Sequence, residues 1–138
     1  MFRSLYRHGF ARVAACTMPV ALADPPSNVE SVLRIARRCH DEAVALVVYP
    51  ELALSGYSIE DLFQQDVLQE SVERAILALA EGTRALMPLV LVGAPLRHEG
   101  RLYNTAVAIH RGRVLGVVPK IHLPNYREFY ERRQFASG

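Results

Sequence analysis

The sequence predicts an α/β fold on three observations. Apolar runs at 13–16, 43–49 and 89–94 alternate with two stretches whose apolar residues recur at helical spacing, and Arg111-Gly112 then marks a tight hairpin. Strand, helix, strand, helix, strand in that order implies a parallel sheet with right-handed crossovers, and the hairpin is added at its end.

In chain order, Val13-Ala14-Ala15-Cys16 reads as a short buried strand. Ser27 and Glu30 have the spacing of a capping box, and Val29, Val32, Leu33, Ala36 and Cys39 follow on one helical face. Residues 43–49 form the second strand. Ser58 with Asp61 is placed to cap a short turn, and the second helix is expected over 67–86, with Leu68, Val72, Ile76 and Leu79 facing inward. The third buried strand, 89–94, is expected to stop at Pro95, which lacks the N–H that a ladder needs. Residues 101–110 and 113–118 flank the Arg111-Gly112 turn as a hairpin, and its second strand leads directly to Lys120.

At 138 residues, 51% of them apolar, the chain can build one core and is too short for two ordinary domains. The net charge is only +2, and the arginines are interleaved with acids, so no basic stripe points to nucleic acid. No apolar stretch approaches bilayer-spanning length, and Arg3, Arg7 and Arg12 are not followed by a signal-type apolar block. A cytoplasmic protein is expected. Cys16 and Cys39 match neither a disulfide framework nor a metal knuckle, and the five histidines lie far apart, so no metal is expected.

Two residues stand out chemically. Of the 16 lysines and arginines, Lys120 is the single lysine, in Pro119-Lys120-Ile121-His122-Leu123-Pro124-Asn125-Tyr126. Lysine supplies a compact charge for an oxyanion, where guanidinium demands a planar partner; the alternative is arginine-rich composition with one surface lysine. Glu51 follows the apolar run 46–49 and Pro50, beyond the carboxyl end of a strand, where functional groups of open α/β sheets collect. It suits a general base, against the alternative of an ordinary loop glutamate, and the apolar surroundings Leu52-Ala53-Leu54-Ser55-Gly56-Tyr57 favour the former.

Pro50-Glu51-Leu52-Ala53-Leu54-Ser55-Gly56-Tyr57 with Glu60-Asp61, Arg101-Leu102-Tyr103-Asn104-Thr105-Ala106, and the Pro119–Tyr126 segment through Phe135 together resemble the nitrilase, or carbon–nitrogen hydrolase, superfamily. His8-Gly9-Phe10 and the run Ser55-Gly56-Tyr57-Ser58-Ile59-Glu60-Asp61 resemble in particular its glutaminase branch, the N-terminal domains of glutamine-dependent NAD synthetases. The resemblance implies an αββα sandwich, of which these residues are about the first half, and a Glu, Lys and Cys triad. Glu51 matches the general base and Lys120 the lysine that supports the oxyanion. Tyr57 and Tyr126 match positions near the substrate, with packing beneath loops as the alternative for both. A second glutamate near the lysine falls on Glu131 or Glu128, and spacing leaves that choice open.

The family's nucleophilic cysteine lies beyond the lysine motif and is not in this chain; Cys16 and Cys39 match small buried hydrophobes instead. The resemblance therefore implies the N-terminal part of a glutaminase, inactive by itself. Its parent would hydrolyse glutamine and pass ammonia to deamido-NAD, as a homo-oligomer, with ATP and Mg²⁺ bound in a synthetase domain that is absent here. No glycine-rich phosphate loop occurs in this sequence. The missing strands would leave a sheet edge and an apolar face uncovered. The other readings are a piece of a stand-alone amidase and a non-catalytic interaction chain.

Overall fold

The computed structural model describes residues 4–138, so Arg3 lies outside the described residues. Five strands, β1 (Val13–Ala15), β2 (Leu46–Val48), β3 (Leu89–His98), β4 (Arg101–His110) and β5 (Arg113–Pro119), pair in that order in one sheet. β1, β2 and β3 are parallel, joined through helices α1 (Pro25–Asp41) and α2 (Asp66–Gly82); β3, β4 and β5 form an antiparallel meander. The expected parallel sheet is thus a mixed one, because two short turns replace crossovers after β3.

Both turns have the left-handed backbone that two-residue hairpins require. Glu99 and Gly100 have φ of 48° and 74°, and Arg111 and Gly112 have φ of 47° and 84°. The first of these hairpins is hidden in the sequence by Pro95. Along β3 the odd-numbered residues turn their backbone toward β2: Leu91 and Gly93 accept there from Tyr49 and Leu54. Pro95 is next in that series, past the end of β2, so its missing N–H costs no ladder bond and the strand runs on to His98.

α1 is capped by Asp24 rather than Ser27. The Ser27 amide donates to the Asp24 side chain, and Pro25 and Pro26 occupy the first helical positions, where an N–H would have no partner. Ser58 caps nothing: the short 3₁₀ turn Glu60–Gln64 forms behind Ile59 without a side-chain cap. α2 ends at Gly82, short of the expected 86, where Thr83 folds its hydroxyl back onto Ala80 O at 2.8 Å.

The helices cover one face of the sheet. Val32 and Ala36 of α1, Val72 and Leu79 of α2, and Val47, Val90, Val92, Val107 and Ile109 of the strands are buried together. On the other face Val13 is 64%, Val48 39% and Val118 66% exposed, and no described residue covers them. β1 is therefore a half-exposed edge rather than the buried strand its apolar sequence suggests.

Candidate functional site

Tyr49 extends the β2 pairing by one residue, donating its N–H to Leu91 O at 2.9 Å, and Pro50 ends it. The chain then coils through tight turns, in which Ala53 N donates to Pro50 O and both Ser55 N and Gly56 N to Leu52 O. Leu52, Ala53, Leu54 and Ser55 are fully buried, and Leu52 is held at φ 51°, a conformation non-glycine residues seldom adopt. The apolar residues after Glu51 anchor the turn in the core, and its carboxylate is left at the surface of the uncovered sheet face. Gly93 lies directly beneath. A Cβ on Gly93 would sit 2.2 Å from Leu52 N and 2.7 Å from Pro50 O, so only glycine lets the turn descend this far.

Lys120 enters from the far side of the sheet. Its N–H donates to Asn104 O at 2.8 Å and its carbonyl accepts from Gly138 N at 3.0 Å, which fixes the backbone just past β5. Its ammonium donates to Glu51 Oε1 at 2.6 Å and to Glu131 Oε1 at 3.0 Å. Tyr57 donates its hydroxyl to the same oxygen of Glu131 at 2.9 Å, and Asn104 Nδ2 donates to Glu51 Oε1. The result is one continuous chain of polar contacts, Asn104 to Glu51 to Lys120 to Glu131 to Tyr57. It connects β4, the turn after β2, the end of β5 and the 3₁₀ turn Glu131–Arg133.

Glu131 is 5% exposed, and a carboxylate this deep is stable only with charged or donating partners around it. Lys120 and Tyr57 supply them. Burial works to lower the Lys120 pKa, but its hydrogen bonds and charge pairing with Glu51 and Glu131 prevail and raise it above the ordinary lysine value. The group therefore stays an ammonium at neutral pH, a fixed cation rather than a base. Burial, then the hydrogen bond and charge of Glu131, push the Tyr57 phenol upward as well, so it remains a donor.

The Glu51 carboxylate and the Lys120 ammonium face an open groove of about 380 Å³, with Val48, Pro50, Gly93, Asn104 and Val118 among its walls. A second cavity of about 260 Å³ lies behind Tyr57 and Glu131, lined also by Phe63, Glu128 and Phe135. A compact amide entering the groove would meet a carboxylate able to take a proton and an ammonium able to stabilise negative oxygen.

Of the residues singled out from sequence, Glu51, Lys120, Glu131 and Tyr57 converge. Glu131 is the glutamate that reaches Lys120, and Glu128 lines the second cavity without bonding it. Tyr126 stays apart: it is 64% exposed, packs edge-on against Phe129 with ring centres 5.9 Å apart, and borders a different cavity with His122 and Arg132. Cys16 donates its thiol to Val48 O at 3.3 Å, and Cys39 is buried in α1. Burial raises both thiol pKa values, opposite to what a nucleophile needs. Asn104 and Gly93 were assigned no role from sequence. The signals were there, a polar residue in an alternating strand and a glycine inside another.

The family model for carbon–nitrogen hydrolases matches residues 12–138. Among curated relatives, a glutamine-dependent NAD(+) synthetase of Mycobacterium bovis is 61% identical over 99% of this chain, and one of Aquifex aeolicus 38% identical over 85%. The chain spans only 20% of the length of each. Among solved structures, a glutamine-dependent NAD+ synthetase from Acinetobacter baumannii in complex with ADP superposes with a TM-score of 0.81 at 30% identity, covering 88% of this chain and 23% of that one. A nitrilase-superfamily amidase from Nesterenkonia shares the fold, with a TM-score of 0.80 at 24% identity; 93% of this chain covers 48% of it.

Proposed function

Because this chain belongs to the carbon–nitrogen hydrolase family, we propose that it is the first part of the glutaminase domain of a glutamine-dependent NAD synthetase. The observation that carries the chemistry is the Lys120 ammonium, held at 2.6 Å from Glu51 and 3.0 Å from buried Glu131 at the edge of an open groove. The branch rests on the 61% identity to a mycobacterial NAD(+) synthetase.

In this reading Glu51 takes the proton of a cysteine thiol, and the thiolate attacks the side-chain carbonyl of glutamine. The tetrahedral oxyanion forms beside Lys120, whose charge is already in place and needs no reorganisation. Ammonia leaves with the proton, and water releases glutamate from the thioester. Neither Cys16 nor Cys39 serves as that thiol, so the chain alone is inactive. Residues that complete the sandwich would supply the thiol and cover the apolar face of Val48 and Val118.

The ammonia would amidate deamido-NAD in the cytoplasmic, homo-oligomeric parent. Among the described residues no three of His, Cys, Asp and Glu cluster in a way that could hold a metal. In this reading the ATP and Mg²⁺ of that reaction are assigned to a synthetase domain of the parent, and these residues to ammonia release. No described helix is long and apolar enough to cross a membrane.

The test is ammonia release from glutamine by the full-length gene product and, separately, by the 138-residue chain. The full-length protein should be active and lose activity in Glu51→Gln and Lys120→Met, and the short chain should be inactive. Glutamine hydrolysis by the short chain, abolished in Cys16→Ala, would sink the assignment. Turnover of simple aliphatic amides in preference to glutamine would favour a stand-alone amidase.

A further inference from the structure

We propose that Asn104 is a positioning residue that sets the separation of Glu51 and Lys120 and decides which oxygen of Glu51 is free to accept a proton. The proposal rests on the glutaminase reading above, with Glu51 as base.

Asn104 is 3% exposed in the middle of β4, where an unneeded amide would be costly to bury. It holds both residues at once. Its backbone carbonyl accepts the Lys120 N–H at 2.8 Å, and its side-chain amide donates to Glu51 Oε1. Glu51 and Lys120 sit on segments that do not pair with each other, since β2 and β5 are separated in the sheet by β3 and β4. β4 lies between them, and Asn104 is the point on it that touches both. Its neighbour Thr105 cannot substitute, because its hydroxyl donates to Ala94 O at 2.7 Å.

The two donors on Glu51, Asn104 Nδ2 and Lys120 Nζ, both take Oε1. Oε2 is left to accept the thiol proton. Asparagine suits this task by its chemistry: the amide is a neutral donor of the right length. Aspartate would set an acceptor and a second negative charge against Glu51, and alanine would leave the carboxylate held by Lys120 alone and free to turn.

The test uses the full-length gene product and steady-state glutamine hydrolysis by wild type, Glu51→Gln, Asn104→Ala and Asn104→Asp, with thermal melts of each. Misplacing a reacting group costs rate more than binding, so Asn104→Ala should lower kcat by on the order of 10–100-fold with KM nearly unchanged. The isosteric Asn104→Asp should be at least as impaired. A packing role predicts the reverse order, since aspartate fills the site and alanine does not. A kcat for Asn104→Ala close to wild type, or Asn104→Asp clearly more active than Asn104→Ala, overturns the proposal. If Asn104→Ala does not fold, Asn104→Asp decides: near-normal kcat overturns it, and lost kcat with a native melt supports it. A wild type without glutaminase activity, or an undiminished Glu51→Gln, removes the glutaminase reading and this proposal with it. Active wild type, inactive Glu51→Gln and normal Asn104 variants remove this proposal alone.

Discussion

Lys120 and Glu51 are 69 residues apart in sequence and 2.6 Å apart in space, and the same ammonium also holds the carboxylate of Glu131. Exposed ion pairs contribute little to stability, but Glu131 is almost wholly buried and depends on Lys120 for its charge balance.

Lys120→Met should therefore destabilise the protein and, on the proposed glutaminase reading, inactivate it. Lys120 itself is 30% exposed, so the loss should fall below that of a fully buried pair, at about 1–3 kcal/mol. Adding Glu131→Gln should recover part of that stability, because the uncompensated charge is gone, without recovering activity, because on the proposed reading the oxyanion still lacks its cation. Urea melts of the two single variants and the double variant measure the coupling; strict additivity would show that the pair does not interact.

Gly93→Ala tests the turn that carries Glu51. The added methyl meets backbone atoms of Pro50 and Leu52, which cannot swing aside as a side chain would. An overpacking cost of about 1–3 kcal/mol is expected, together with lost kcat, since relief requires moving the turn. Normal kcat and stability would show that the turn is not seated against β3.

Stability should fall at alkaline pH. Tyr49, buried with its hydroxyl on Val32 O at 2.8 Å, has its pKa raised chiefly by burial; Tyr57 is raised by burial and Glu131; Lys120 is raised by its two glutamates against the opposing effect of burial. All three favour the protonated form in the folded state. Their contribution is complete below the unfolded values near pH 10 and is lost as pH rises through the higher folded values. Melting temperatures from pH 8 to 11 should decline above pH 10, and Tyr49→Phe should soften the decline. An unchanged alkaline limb in Tyr49→Phe would show that another group governs it.

On the proposed glutaminase reading, Cys16→Ala and Cys39→Ala should leave the activity of the full-length protein intact. Burial raises both thiols, so alkylation near neutral pH should be slow in the folded protein and fast after denaturation. Rapid labelling of Cys16 under native conditions, with loss of activity, would contradict this.

Much of the fold was legible from local pattern. Val29, Val32, Ala36 and Cys39 predicted the inner face of α1, and Leu68, Val72, Ile76 and Leu79 that of α2, because helical spacing and burial are the same fact. The Arg111-Gly112 turn was readable from its glycine. The β3–β4 hairpin was not, because the position of Pro95 is tolerable only where β2 has already ended. The cap of α1 was misplaced for a related reason: Ser27 and Asp24 compete for one role, and the two prolines between them settle it.

The sequence by itself determined the two chemically distinctive residues, Glu51 after its strand and the lone Lys120, because composition and strand ends are local properties. Only the tertiary structure put Glu131 rather than Glu128 against Lys120, separated Tyr126 from Tyr57, and brought Asn104 and Gly93 beside Glu51. Those outcomes depend on strand register and on how closely a turn approaches its neighbour, which are set by the packing of segments far apart in the chain.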